Sequence, residues 1–310
     1  MNYLKPLIKW VGGKTQILPQ IFNCWPSKNP INNYHEIFVG GGSVLLAFLS
    51  KCEKGEYTIN GNIYAYDINP ALISMYKNIQ ANADALYDTI QTYIDTMKKC
   101  DTVLPINRYP ENEEEATKNP ENYYYWLRAT YNGLSSEEKQ SINGSALFIF
   151  LNKTCFRGLY REGPRGFNVP YGHYKNPEII NKEHLYEIQR LIAPVIFECK
   201  SFEETLQLSN MEPNDYVYMD PPYAPISSTS FDKYTEKGFP LELHNTLFAC
   251  IDKLTEQKIS ILLSNADVSL VRDHFTKKKG YLTQSITCKR TINSKNPESK
   301  AQEVLITNYN

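Results

Sequence analysis

The chain has 310 residues, 42% apolar and 22% charged, an ordinary globular make-up that excludes a disordered or fibrous protein. Its formal net charge is −1, so any surface for a polyanion has to be local. The 7 cysteines never fall in C-x-x-C spacing, and no apolar run suits a signal segment or a membrane span. A soluble, cytoplasmic protein without disulfides or a zinc site is expected.

In chain order, Lys9-Trp10-Val11-Gly12-Gly13-Lys14-Thr15 is a glycine turn that opens into a short amphipathic helix. It is not a phosphate-binding P-loop, because Ile8 stands where the first glycine of G-x-x-x-x-G-K-[ST] belongs and no strand of normal length precedes it. What remains is a loop offering backbone N–H groups, the Lys14 ammonium and the Trp10 indole, equally readable as a helix start with a buried Trp. His35 to Ser43 reads as a short strand, a triple-glycine turn and a helix capped by Ser43. Leu45 occupies the third-glycine position of the dinucleotide fingerprint, so the turn suits an amino-acid moiety better than a pyrophosphate. Ile63 to Asp67 is a second strand ending in an acid, where nucleotide-binding folds hold ribose hydroxyls.

Helical spacing of apolar residues runs from Leu72 to Lys99, and again from Tyr123 to Tyr131 and from Ser145 to Leu151. The acidic run at 107–122 reads as a solvated loop. Strand–helix alternation is missing from 72–190, which predicts a mostly helical insertion between the halves, 1–71 and 191–310, of an α/β catalytic domain. Within the insertion, 152–175 holds five Lys or Arg (153, 157, 161, 165, 175) against Glu162, interleaved with Phe156, Tyr160, Phe167, Tyr171 and Tyr174. Cations for phosphates and base edges, beside rings for stacking, are the composition of a nucleic-acid-contacting loop or hairpin.

Alternation resumes with Val195 to Cys199 and then Tyr216 to Met219, a strand that runs into Asp220-Pro221-Pro222-Tyr223. Two prolines stop the strand and forbid a helix interior, so Asp220 and Tyr223 project from the strand's C-terminal end. That grouping suits a conjugated exocyclic amine, a poor nucleophile because its lone pair is delocalised. The Asp220 carboxylate and the Pro221 carbonyl can accept its two hydrogens and draw the nitrogen toward tetrahedral geometry. Tyr223 can stack on the heterocycle, a contact of ~1–3 kcal/mol per base. Beyond it come a polar run from Ala224 to Lys237, a helix at 241–257 and a buried strand at 259–265. A tail at 277–300 follows, with seven cations against one Glu, in which Arg290 to Ala301 reads as a basic loop. No metal-ligand set is visible, so metal-independent activity is expected.

The blocks Lys9-Trp10-x-Gly-Gly-Lys14, Phe38-x-Gly-x-Gly, Asp67, Leu151 to Arg161 with Phe167-Asn-Val-Pro-Tyr-Gly172, and Asp220-Pro-Pro-Tyr223 follow in order. Over nearly the whole chain this resembles the Dam-like adenine-N6 DNA methyltransferases. The resemblance implies a Rossmann-like α/β methyltransferase sheet of seven strands, with an inserted target-recognition subdomain that is mostly helical and contains a β-hairpin. It implies S-adenosylmethionine as cofactor, S-adenosylhomocysteine as product, and double-stranded DNA as partner. Trp10, Lys14, Phe38, Gly40, Gly42, Asp67 and Asp220 match cofactor contacts, and Phe202 joins them. Asp220, Pro221, Pro222 and Tyr223 match the catalytic motif. Leu159, Arg161 and Pro170 match base-reading positions and Lys9 an early base contact; Lys153, Arg157 and Tyr174 complete the DNA-facing set. Arg157 departs from the Asn of many GATC-specific members, which leaves other four- to six-base sites open, CATG among them. A companion restriction endonuclease and a monomer or weak dimer belong to the same expectation. The rivals are the same chemistry on RNA or a protein amide, and a non-catalytic regulator.

Overall fold

The structure is a computed structural model that describes residues 3–26, 30–207, 211–224, 238–289 and 300–309. The strands in these residues are β1 (Tyr34–Glu36), β2 (Ile63–Asp67), β3 (Glu162–Gly163), β4 (Gly166–Phe167), β5 (Val195–Cys199), β6 (Tyr216–Met219), β7 (Ser260–Ala266), β8 (Leu282–Lys289) and β9 (Lys300–Thr307). The helices are α1 (Leu18–Asn23), α2 (Ser43–Glu53), α3 (Pro70–Lys99), α4 (Glu113–Thr117), α5 (Pro120–Gly133), α6 (Ile142–Thr154), α7 (Lys182–Ile192), α8 (Phe202–Thr205), α9 (Leu241–Glu256) and α10 (Ser269–His274). Two compact units form: Met1–Tyr3, Lys14–Ile68 and Pro194–Asn310 in one, Leu4–Gly13 and Asn69–Ala193 in the other. Leu4–Gly13 thus groups with the second unit, whereas the sequence reading grouped it with the catalytic halves.

The first unit holds a seven-stranded sheet in the order β5-β2-β1-β6-β7-β9-β8. The pairings from β5 through β7 are parallel, and β9 runs antiparallel to both β7 and β8. β6 is buried throughout, as befits a central parallel strand covered on both faces. Val217 and Met219 join a core with Leu247, Phe248 and Ile251 of α9. Tyr216 pairs in register with Tyr34 and packs on Trp25 at 4.5 Å between ring centroids. The chain leaves β1 toward β2 and β5, then returns to lay β6 on the other side of β1. That reversal makes β1 and β6 the topological switch point of the sheet, beside whose C-terminal strand ends open α/β sheets bind ligands.

A polar knot fixes the starts of these two strands. Asp215, fully buried, accepts from the Asn33 backbone N–H (3.0 Å) and the Glu212 backbone N–H (2.8 Å), and lies 3.3 Å from His35 Nε2. The helix after β1 differs from expectation. Gly42, at φ 76°, is the N-cap of α2, and Ser43 is the first helical residue. Its hydroxyl accepts from the Lys14 backbone N–H at 2.9 Å instead of capping.

In the second unit α3 packs on α6 and α7, and α5 on α6. α3 is two helices in series, broken at Asn82 (φ −160°, ψ 75°). Asn69 caps the first through the Leu72 N–H, and Asn82 caps the second through the Ala85 N–H. The acidic run read as a loop contains α4, because Asn112 accepts from the Glu115 N–H and starts a helical turn there. β3 and β4 form a hairpin turned by Pro164 and Arg165. No helix among the described residues is long and apolar enough to cross a membrane.

Candidate active site and nucleic-acid interface

The site in the first unit is built where β6 ends. Met219 is the last strand residue, the two prolines end the ladder, and Asp220 follows at once. At the far end of the motif, Asn265 of β7 accepts from the Ala224 N–H (3.0 Å) and the Ala266 N–H (2.8 Å), so Asp220 to Tyr223 is held at both ends. Lys14 approaches from the glycine turn. Its Nζ lies 2.8 Å from Asp220 Oδ2 and 4.8 Å from the centre of the Tyr223 ring. Asp220 Oδ1 is buried and has no hydrogen-bond partner among the described residues. Burial pushes the Asp220 carboxyl up to about 6, against the pull of Lys14.

Glu36 of β1, fully buried, accepts from the Tyr34 hydroxyl at 2.6 Å. Burial raises its carboxyl to about 8, the Tyr34 hydrogen bond lowers it, and the charge of Asp220 adds to the rise. The Tyr223 hydroxyl donates to Glu303 Oε2 of β9 at 2.8 Å, and burial holds the phenol well above its ordinary range.

The remaining cofactor candidates of this unit lie along the same strand ends. Gly40 and Gly42 both adopt positive φ (49° and 76°), a backbone that L side chains resist. The Gly40 N–H donates to Asp67 Oδ2 at 3.1 Å, which brings the turn after β1 to the acid that ends β2. Phe38 and Phe202 pack together at 6.0 Å, and Phe239 joins them. Trp10 lies in the second unit, stacked on Tyr160 at 5.2 Å and near Phe148.

The DNA-facing candidates all belong to the second unit. Asn152, buried in α6, accepts from the Lys9 N–H (3.0 Å) and donates to the carbonyls of Lys9 (2.8 Å) and Gly158 (3.2 Å). It thereby clamps the N-terminal segment to the loop after α6. Gly158, at φ 63°, leaves no room for a side chain: a Cβ would stand 2.5 Å from Lys9 Cδ. Lys9 places its ammonium 4.7 Å from the Tyr174 ring centre. Arg157 also has positive φ (59°), is exposed, and lies over the exposed Phe156 ring. Exposed Arg161 donates from Nε to Asn168 Oδ1 at 2.6 Å, and Pro170 is exposed while Leu159 is half-buried. Half-buried Lys153 has an ammonium whose pKa is lowered by burial.

Sequence reading passed over Glu36, Glu303 and the clamp role of Asn152. The polar ending of the 259–265 strand was the available signal for Asn265. The tract 225–237 and the basic loop up to residue 299 lie outside the described residues. Among the described residues no group of three or more His, Cys, Asp or Glu could hold a metal ion.

Residues 10–291 match the family described as D12 class N6 adenine-specific DNA methyltransferase. The type II methyltransferase M.MjaIII of Methanocaldococcus jannaschii is 36% identical, with 99% of each chain covered. The type II methyltransferase M1.LlaDCHI of Lactococcus lactis subsp. cremoris is 30% identical over 99% of this chain and 96% of its own. The DNA adenine methylase of Escherichia coli K12 is 28% identical over 100% of this chain and 96% of its own. Since the match runs from the Trp10 turn through Asp220 to Tyr223 and on past β8, the chain belongs to the D12 class of N6 adenine-specific DNA methyltransferases.

Proposed function

We propose that the protein methylates the N6 amine of an adenine flipped out of a short duplex site of four to six base pairs, with Asp220 to Tyr223 as the catalytic segment. The observation that carries this reading is the divided state of Asp220. Oδ2 is taken by Lys14 while Oδ1, buried, has no partner among the described residues. A buried acceptor without a donor costs about 1–3 kcal/mol, and an amine hydrogen would relieve that cost. The Pro221 carbonyl accepts the second hydrogen. With both hydrogens held, the nitrogen lone pair leaves conjugation, and Tyr223 stacks the base in a fixed plane. An adenine in the duplex has its amine edge engaged in pairing, so it reaches this site only after flipping.

The residues of the first unit suit S-adenosylmethionine. Asp67 would take ribose hydroxyls, the positive-φ turn at Gly40 and Gly42 lets the ligand approach the backbone, and Phe38 and Phe202 offer an apolar wall. Lys14 and Asp220 supply opposite charges for the amino-acid end, and Trp10 joins the set on the resemblance alone. When bound, the cofactor supplies a sulfonium methyl carbon that bonds to N6 while the S–C bond pair stays on sulfur, leaving S-adenosylhomocysteine. The methylated N6 then loses a proton to Asp220 or water, so no stronger base is needed.

Lys9, Lys153, Arg157, Leu159, Arg161, Pro170 and Tyr174 form the proposed DNA-reading surface. Cations among them hold phosphates and base edges, and Arg161 is the main candidate for bidentate guanine recognition. Two of the relatives above are type II methyltransferases, and protection of the site from a companion endonuclease is the role that follows.

The test is transfer of labelled methyl groups to a randomised duplex library, followed by modification-sensitive sequencing. One short motif with modified adenine is expected, and Asp220→Ala should abolish transfer while leaving duplex binding intact. Label that enters RNA or protein but not duplex DNA would refute the substrate, and full activity of Asp220→Ala would refute the site.

A further inference from the structure

Tyr223 is the stacking platform in the reading above, and its ring is anchored by a residue far along the chain. Its hydroxyl donates to Glu303 Oε2 at 2.8 Å. Glu303 sits on β9, opposite Ala266 of β7 and Ile286 of β8. The next three residues of β9, Val304, Leu305 and Ile306, are fully buried and apolar. Glu303 itself is only half-buried; its carboxylate faces the catalytic segment through Tyr223 and also has the Cys288 thiol of β8 beside it.

We infer that Glu303 is a positioning residue for methyl transfer: it tethers the Tyr223 hydroxyl, sets the plane on which the target base stacks, and adds negative charge beside Asp220. This rests on the assignment of Asp220 to Tyr223 as the catalytic segment. A phenol held only by its Cβ can rotate and tilt; a charge-assisted hydrogen bond at the far end of the ring removes that freedom. Lys14 lies 4.8 Å from the ring centre and Asn265 pins the backbone one residue on, so the ring is held at its face and its hydroxyl while the chain beneath it is anchored separately. The same charge reaches Asp220, whose carboxyl is raised by burial and further by Glu303. One side chain thereby couples the geometry of stacking to the protonation of the amine acceptor.

The experiment uses the full chain and the duplex selected from the library, with 2-aminopurine at the target position to report flipping and stacking. Tyr223→Phe keeps the ring and removes the tether; Glu303→Ala removes the tether from the other side. Each should lower kcat by roughly 10-fold or more with little change in KM for DNA, and the double variant should be no slower than the slower single. Glu303→Gln retains an acceptor for the hydroxyl without the charge, so it should turn over well above Glu303→Ala and move the acid limb of the rate to lower pH. Wild-type turnover by Glu303→Ala, losses that multiply in the double variant, or an unmoved acid limb in Glu303→Gln would overturn the inference. Asp220→Ala run alongside separates the two readings. If it transfers normally the catalytic assignment fails, and if it is inactive while Glu303→Ala is normal only the role of Glu303 fails.

Discussion

Lys14 Nζ touches both halves of the catalytic segment, 2.8 Å from Asp220 Oδ2 and 4.8 Å from the centre of the Tyr223 ring. Lys14 and Asp220 are both largely buried, so the pair is little screened by solvent. The ammonium favours the ionised carboxylate that burial alone would protonate.

A pH profile follows from that contact. Asp220 is a strong acceptor for an amine hydrogen, and the ion partner of Lys14, as a carboxylate, and its carboxyl is raised to about 6. We predict that kcat/KM is level above that pH and falls about 10-fold per unit below it. Replacing Lys14 with Met removes the cation and lets burial act unopposed, so the acid limb should move upward by about 1–3 units. Rates measured across pH 4.5 to 9 check this; a limb that stays in place would detach Lys14 from Asp220.

Glu36 predicts a stability effect. Its folded carboxyl is raised from an ordinary value of 4.5 to about 8, so the folded state holds the proton more tightly than the unfolded chain. The resulting penalty is absent below the unfolded value, grows as pH rises between the two, and is complete above the folded one. Glu36→Gln mimics the protonated acid, so its stability relative to wild type should improve with pH across that window, by at most about 1.4 kcal/mol per unit, and then level off. Paired denaturant titrations at several pH values test the difference; a constant offset would place the titration elsewhere.

Asn152 predicts a ranking of variants. Its amide must both accept from and donate to the backbone of Lys9. Asn152→Ala loses both directions and should destabilise the second unit by about 2–4 kcal/mol. Asn152→Asp keeps the acceptor but turns a carboxylate toward two carbonyls, so it should be at least as damaging. Thermal denaturation and duplex-binding titrations check the order, and a well-folded aspartate variant would contradict it.

Arg157 predicts opposite movements of stability and readout. It holds φ at 59°, a region in which Asn is far more at home than Arg. Arg157→Asn should raise stability by about 1 kcal/mol and change the methylated motif. Sequencing of a methylated library beside a melting curve measures both; an unchanged motif would remove Arg157 from the readout surface.

What the sequence showed plainly was whatever local stereochemistry decides. The Tyr216–Met219 strand stops where two prolines follow, and the strand, glycine turn, helix and second strand that end at Asp67 stand in the expected order. Contacts between distant residues were not legible. Glu303 meets Tyr223 across 80 residues, Asn265 meets Ala224 across 41, and Asp215 meets His35 across 180. No periodicity records such pairs, because each is created by strands laid side by side. Ser43 shows a subtler failure: its position suits a cap, yet left-handed Gly42 takes that role and frees the hydroxyl for Lys14. The acidic run at 111–115 is solvated, as its charge implies, but part of it is helix and not loop, because Asn112 starts a turn whose N-terminal end favours acids.

The strand order β7-β9-β8 has a consequence for biosynthesis. β8 leaves the ribosome before β9, yet among the described residues β9 is the one strand that pairs with it, and β9 also covers the edge of β7. Until β9 is made, β8 lacks this partner and β7, nearly all buried in the finished protein and carrying Ile261, Leu262 and Leu263, presents an open edge to other chains. A nascent or truncated polypeptide that stops short of Lys300 should therefore associate through that edge, and such products should collect in the insoluble fraction or on chaperones.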